Sequence, residues 1–571
     1  MAAGGGGFDH VIVGGGSAGC VLAARLSEDP HRSVLLIEAG RDVHAGDVPA
    51  TTRLRYPGRA YFDPAQTWPG LTAFTGGAAR NDPDARPRVG YAQARLLGGG
   101  SSINGMGANR GAPSDYDEWA QAGASGWHWA NVAPYFRKLE RDQEIADEHH
   151  GQDGPIPIRR LPEAEWGPFS RAAAAAIAGQ GVARRADQNG AWADGVFPTA
   201  LSMDANWERV STALGYLTPA VRRRPNLTIR TGIAVRRLVF DGTRAVGVAI
   251  AGAAGDETIA AREVIVSAGA IHSPVLVMRS GIGPGAELRR LGIAPLADLR
   301  GVGRNLMEHP SAGIVGYLPR ASRQKRGDRY HIPALWRFSS GLEGCPAGDM
   351  HVATIDRAAW HPIGWRTGLL LVWVNKSYSR GLLTLSGPRD GDPPVVDFRM
   401  LSDPRDRRRL ADGFRRIAAV MRSPAMAQLC RNPIPVRPSD RAKRYGHPTA
   451  YNALATGLAG IAVDLAGPWA GAAFARLVGS GVTLDALLAD AAALDAFLDA
   501  SVMGVWHASG ACRMGAADDP DAVVDPQGRV RGVAGLRICD TSIFPTIPCA
   551  NTNVPVIMVA ERMADLIRGR A

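Results

Sequence analysis

The stretch that most constrains this chain lies at its start. Residues 10–19 read HVIVGGGSAG. Val11-Ile12-Val13 is a short β-branched run, the pattern of a buried strand. VLAARLSED follows the glycines, with Val21, Leu22, Arg25 and Leu26 at helical spacing. A second strand, Ser33–Ile37, ends at Glu38. This is GxGxxG between strand and helix, with an acid beyond the next strand, and each part has a physical task. Gly14 permits the tight turn. Gly16 lets backbone approach a pyrophosphate, and Gly19 lets helix pack on strand. Ser17, Ala18 and Gly19 open a helix whose N-terminus faces phosphate charge, and Glu38 can accept hydrogen bonds from a ribose diol. The unit predicts a dinucleotide site.

Two rival readings fail on position. Gly15-Gly16-Ser17-Ala18-Gly19 also fits the GxSxG nucleophile elbow, with Ser17 as nucleophile. An elbow needs a central strand of a sheet already built, and only about ten residues precede this one. Gly281-Ile-Gly283-Pro-Gly285-Ala286 is a formal GxGxxA, but it follows a predicted helix with Ser273 at its N-cap and Pro274 at N1. No second nucleotide site is expected.

Composition bounds the partners. The chain has 571 residues and a net charge of +11. That excess invites a polyanion reading, but it is almost all arginine scattered among Ala and Gly. The only lysines are Lys138, Lys325, Lys376 and Lys443, so no nucleic-acid partner is expected. The six cysteines include no CxxC pair, which fits a reduced, cytoplasmic setting without a disulfide framework or structural zinc. The start, MAAGGGGFDH, lacks the basic and apolar regions of a signal peptide. The longest apolar tract, Ala453–Val482, is interrupted by Asp464, Pro468 and Arg476. It predicts helices outside the membrane, with an interfacial segment as the lesser alternative. His149-His150 lies in DEHHGQDG and reads as a solvated loop without metal.

At the C-terminus, Gly535–Asp540 is a short strand ending in an acid. ANTNVP (550–555) then opens a last helix, with Asn553 as N-cap and Pro555 near N1. The N-terminal unit does not choose between NAD and FAD; the positive dipole end of this helix could stabilise negative charge on a reduced flavin, or the helix could simply be a capped surface helix.

Several long stretches then carry a resemblance. ARLLGGGSSINGMGANRGAPSDYDEW (94–119), SAGAIHSPVLVMRSGIGP (267–284), GVGRNLMEHP (301–310) and WHASGACRMG (506–515) join the fingerprint and the tail. Together they make the chain resemble the glucose–methanol–choline family of FAD oxidoreductases over nearly its whole length. Trp68-Pro69, GPIPI (154–158), WVNK (373–376) and MLSDPRD near 400 resemble the bacterial oxidases of 5-hydroxymethylfurfural and aryl alcohols within that family.

The resemblance implies an α/β fold in which a Rossmann-like FAD-binding lobe is interleaved with an α+β substrate-binding lobe. The first takes 1–160, 202–312 and 501–571; the second takes 161–201 and 313–500. It implies that Gly99, Asn104, Gly105 and Met106 line the flavin and pyrophosphate. Val235 is expected to meet the adenine, Asp540, Asn551 and Thr552 the flavin, and Trp68 and Trp506 the ring side. Val374 and Trp506 are expected at the substrate. Members that attach FAD covalently do so through a histidine where this chain has Ile103, so non-covalent FAD is expected. His309 and His272 read as structural.

Alcohol oxidation needs a base for the hydroxyl proton and an acceptor for hydride. The resemblance assigns the first role to His507, with Asn551 holding the substrate oxygen. The expected reaction is oxidation of a primary aryl or furanic alcohol, with O2 reduced to hydrogen peroxide. Alternatives are a dehydrogenase passing electrons to a quinone or another carrier, and the hydroxynitrile lyase activity known on this fold. The Ala/Leu-rich region 451–500 is expected to be helical and longer than in the furfural oxidases, and could cover the pocket or an interface or be mere helical padding.

Overall fold

The computed structural model describes residues 7–76, 88–252, 255–438 and 444–570. Five parallel strands from three distant parts of the chain make one sheet. Phe8–Val13 lies between Val34–Glu38 and Gly255–Val266, with Val11 level with both Leu35 and Val264. Leu227–Thr231 extends the sheet on one side, and Leu536–Ile538 pairs beyond Gly255–Val266 on the other. Val34–Glu38 is buried throughout, as a parallel strand covered on both faces must be. The hairpin Val235–Asp241 and Arg244–Gly252 lies antiparallel on the first half of Gly255–Val266.

The helix Ser17–Leu26 packs against the last helix, Asn553–Arg568. Arg25 on the first pairs with Glu561 on the second at 2.7 Å, and Tyr216 Oη donates to the same carboxylate at 2.8 Å. Glu561 is fully buried, so removing one partner would leave a charge both buried and underpaired. Chain start and chain end are thereby clamped together beside the sheet edge that carries the glycines.

A second sheet is mainly antiparallel. Its order is Arg431–Pro435, Pro310–Tyr317, Thr367–Val374, Met350–Ile355, Ala334–Phe338 and Gly195–Pro198, with Met503–Gly504 beside Pro310–Ser311. One face packs on the helix Pro404–Met421, where Gly413 sits against Val372 and Met350. The opposite face carries Leu335, Ala353, Leu371 and Trp373 as a separate apolar cluster. Alternation along a strand sorts these two sets.

The 451–500 region is helical, as Ala450–Leu465, Ala470–Val478, Leu484–Ala489 and Ala491–Ser501. Among the described residues no single helix is long and apolar enough to cross a membrane; the first two of these, bent by 119°, pass that test only as a pair.

Three local expectations shift. The helix expected to start at Ser273 runs Gly269–Arg279, with Pro274 inside its early turns. Proline at this sixth position forgoes the helical bond that an N–H there would give to Ala270 O, and Ser273 Oγ donates to Asp540. The last helix takes Thr552, not Asn553, as its N-cap, because Asn553 turns its side chain to Ser17 Oγ at 2.8 Å. His150, read as solvated, is buried in an ion network, while neighbouring His149 is the exposed one.

Candidate active site

The fingerprint glycines behave as sequence spacing requires. Gly14 has φ +102°, and a Cβ on Gly19 would fall 1.9 Å from Gly14 O. Gly99 approaches so closely that its Cβ would lie 2.7 Å from Gly16 Cα. Beyond these contacts a cradle stays open: Cβ atoms on Gly100 and Gly105 would meet nothing, and one on Gly16 would meet only Ser267 O at 3.8 Å. Ser267 Oγ, buried at the end of its strand, has no partner within the chain. The amides of Ser17, Ala18 and Gly19 open a helix whose N-cap, Gly16, makes no side-chain cap bond. The last helix also lacks a side-chain cap at Thr552. Two helix N-termini thus converge, joined by the Ser17–Asn553 hydrogen bond. That fits a pyrophosphate and an electron-rich ring in one ligand.

Glu38 accepts from Gly15 N at 2.8 Å and Gly40 N at 2.7 Å. Burial pushes its carboxyl up, against these amides. Remaining lone pairs on the two oxygens can still accept a diol. Ile233 N binds Glu38 O at 3.0 Å, which brings the start of the strand carrying half-buried Val235 beside the acid. Asp540 is occupied locally. Its carboxylate accepts from Gly269 N, Ser273 Oγ and Ser542 N at 2.8, 2.5 and 2.8 Å, and burial raises it. Its side chain ties 267–273 to the C-terminal tail.

The loop Gly99–Met106 is held by a residue that sequence reading missed. Arg209 is buried and donates to Thr52 O, Ser101 O, Asn104 Oδ1 and Asn104 O, with no carboxylate partner; burial lowers it to about 10. Asn104 Oδ1 also accepts from Met106 N at 3.0 Å. From the other lobe, Tyr330 Oη donates to Gly105 O at 2.6 Å. Met106 (φ +61°) and Trp506 (φ +64°) both adopt left-handed backbone. Such strain costs on the order of 1–3 kcal/mol and persists where surroundings over-determine it. Trp506 is 50% exposed, so it stands at the surface of the site rather than in a core. Trp68 stacks on His272 with ring centroids 4.4 Å apart, and Arg95 lies 4.9 Å from its centroid.

The two residues expected to act on the alcohol lie side by side. His507 Nε2 lies 3.0 Å from Asn551 Nδ2. Behind it, His507 Nδ1 lies 2.9 Å from His309 Nδ1, and His309 Nε2 lies 3.2 Å from Pro548 O. This chain fixes both tautomers. A carbonyl only accepts, so His309 carries its proton on Nε2 and presents a bare Nδ1. His507 must then donate from Nδ1, which leaves Nε2 as the free base. Both rings are neutral. Burial holds His507 down to about 3, and burial with the neighbouring His507 ring holds His309 well below its ordinary value. Asn551 is set in place by its own amide, which donates to Asn109 Oδ1 at 2.9 Å.

Glu308 supports the histidine from below. It accepts from His507 N at 2.8 Å, from His309 N at 2.8 Å and from Tyr91 Oη. Burial raises it to about 7, against those donors. GVGRNLMEHP contains this pair, but only the fold shows that Glu308 and His309 stand behind His507.

Val374 does not face this site. It is wholly buried on the sheet face beneath Pro404–Met421, level with Met350. Trp373 points the other way, as strand alternation demands. Its Nε1 donates to Asn375 Oδ1 at 3.2 Å, and Asn375 Nδ2 donates to Cys549 O at 2.9 Å, beside Asn551. His351 stacks on Trp373 with ring centroids 4.7 Å apart, and burial, then Arg337 and the His507 ring, hold its pKa down to about 3. His351, with Trp373 stacked on it, is therefore the side chain of this sheet placed near His507.

Comparison with known proteins agrees with this geometry. The two halves of the GMC oxidoreductase family match residues 8–311 and 377–560. The chain belongs to the GMC oxidoreductase family: it is an FAD-dependent oxidoreductase with a Rossmann-like lobe and a substrate-binding lobe. It is 42% identical to the 5-(hydroxymethyl)furfural oxidase of Methylovorus sp. (strain MP688), covering 99% of each chain. It is 34% identical to the oxygen-dependent choline dehydrogenase of Vibrio vulnificus (strain YJ016), covering 98% of this chain and 94% of that one. Pyridoxine 4-oxidase from Mesorbium loti superposes with a TM-score of 0.82 at 29% identity, covering 99% of this chain and 100% of that one.

Proposed function

We propose that this chain oxidises primary aryl or furanic alcohols to aldehydes and passes the electrons to O2, giving hydrogen peroxide. The observation that carries the reading is the neutral His507, whose bare Nε2 faces Asn551 where the two helix N-termini converge. FAD, when bound, supplies the hydride acceptor at N5. His507 Nε2 takes the hydroxyl proton as the carbon gives up hydride. Asn551 Nδ2 donates to the substrate oxygen while negative charge develops there. The proton on His507 Nδ1 stays hydrogen-bonded to His309, so the imidazolium that forms is oriented from behind. Trp373, His351 and Trp506 provide flat, largely apolar surfaces suited to a planar ring beside the reacting carbon. The 42% identity to a furfural oxidase supports that substrate class.

The cofactor is held without a covalent bond, because Ile103 offers no nucleophile where a linking histidine would stand. The FAD lobe is assigned to 1–160, 202–312 and 501–571, and the substrate lobe to 161–201 and 313–500. The second sheet takes its main strands from the latter. The described cysteines are all unpaired, which supports a reduced, cytoplasmic compartment.

The test is a panel of furanic, benzylic and aliphatic alcohols with choline. Loss of flavin absorbance without air, and peroxide formation in air, are expected with the first two classes. Bleaching without peroxide, restored to turnover by a quinone, identifies a dehydrogenase instead. Acid precipitation should release yellow FAD into the supernatant.

A further inference from the structure

The helix Ala450–Leu465 is turned inside out. Tyr451, Leu454, Leu458, Ile461 and Leu465 recur every three or four residues and form one stripe. They are 70%, 64%, 62%, 53% and 82% exposed. The buried positions are Asn452, Thr456, Gly460 and Val463, which are mostly polar or small. A helix placed only to complete a soluble core would bury the leucines and expose the asparagine and threonine.

The inward face is firmly attached. Asp464 accepts from Arg323 Nη2 at 2.6 Å, Arg366 Nη2 at 2.9 Å and Tyr317 Oη at 2.8 Å. Gly460 lies so close to Arg366 that a Cβ there would fall 2.7 Å from Cζ. Polar anchoring from below therefore sets the apolar stripe outward. The stripe continues at both ends. Trp469, just past the helix, is 76% exposed, and Phe62 borders Gly446 before it.

Charge indicates what covers this face. Exposed Arg444 precedes the helix; exposed Arg476 lies in the last turn of the helix Ala470–Val478 that follows, and exposed Arg431 packs beside Gly471 at its start. Between residues 444 and 478 the only carboxylate is Asp464, which is committed to its inward arginines. A second copy seated here would set the arginines of this segment against one another, and the segment itself offers no free carboxylate to pair them. An apolar stripe of about 24 Å, with aromatic residues at its ends and cations beside it, matches instead the headgroup boundary of an anionic lipid layer.

We propose that the face Tyr451–Leu454–Leu458–Ile461–Leu465, with Trp469, docks this enzyme peripherally onto anionic lipid, without spanning it. The test uses the FAD-loaded full chain, sedimented with phosphatidylcholine vesicles with and without phosphatidylglycerol. Binding is expected on the anionic vesicles and should weaken with salt. The double substitution Leu458→Gln with Leu465→Gln should weaken it about tenfold or more. Flavin content, melting temperature and turnover on soluble alcohol should stay unchanged in that variant. Absence of vesicle binding at low salt overturns the proposal, as does binding that the double variant leaves intact. A dimer in light scattering that the same variant converts to monomer, without vesicle binding, assigns the face to a second copy and also overturns it.

Discussion

Two buried histidines in this molecule have opposite charge states. His507 is neutral: beside it stand another neutral imidazole and an amide, and burial alone sets its pKa near 3. His150 is charged. Burial opposes its proton too, but Asp142 at 3.1 Å, Asp187 at 3.0 Å and Glu140 outweigh it and push the ring to about 11. Each histidine has a glutamate close by, yet the glutamates differ in what they touch. Glu140 points its carboxylate at the His150 ring and at Arg110. Glu308 points its carboxylate at the backbone amides of His507 and His309 and at Tyr91. A carboxylate on the ring makes a structural cation; a carboxylate on the backbone positions the ring and leaves it neutral.

The largest effect expected from breaking this contrast is on turnover. His507→Ala should retain FAD and fold but lose about 10²–10⁴-fold in kcat. Stopped-flow flavin reduction checks it, and near-normal reduction would remove His507 from the mechanism. His150→Gln should do the reverse. It strands Asp142, Asp187 and Arg160 in a buried network, at a cost of about 3–5 kcal/mol in stability, while kcat measured below the melting transition stays near that of the parent. Denaturant titration alongside initial rates separates the two effects. Smaller again is the loss from His309→Ala, about tenfold or more in kcat with an altered pH profile, because the His507 tautomer is no longer imposed. His309→Gln should recover part of it, since its amide oxygen can accept the same Nδ1 proton.

The smallest effect per group is in pH dependence. His272, His331, His351, His361 and His507 are all held below the ordinary histidine value of 6.5, chiefly by burial. As pH falls below 6.5 the unfolded chain binds protons that the folded chain refuses, so stability falls by about 1.4 kcal/mol per pH unit for each such ring. His150 has the opposite sign. Its contribution is complete below 6.5 and is lost only as pH rises through about 11. Melting temperatures measured from neutral to mildly acidic pH should therefore drop steeply. His351→Phe should flatten that drop, whereas His150→Gln should not.

Much of the fold is legible in the sequence because its elements are encoded locally. Gly14, Gly16 and Gly19 impose one turn and one close approach, and Val11–Val13 can only be a buried strand, so residue order alone reveals the nucleotide-binding unit. The meeting of His507 with Asn551 follows from the resemblance of WHASG and ANTN to family segments. Val374 is misplaced by sequence because strand alternation is a matter of register, and a shift of one residue exchanges the helix-packed face for the one toward His507. His150 is misread because DEHHGQDG is polar in sequence, yet the chain folds back so that Glu140 and Asp142 from the preceding strand and Asp187 from farther on enclose its ring.

The sequence by itself determined the dinucleotide-binding unit and its parallel strands, since these depend on residue types at short, fixed spacing, while its resemblance to a family pointed to FAD and to His507. Tertiary structure alone decided which nitrogen of His507 is bare, why Arg209 holds the flavin loop, and that Ala450–Leu465 turns its leucines outward. Those outcomes depend on groups far apart in the chain, and their protonation and exposure are set by what surrounds them after folding.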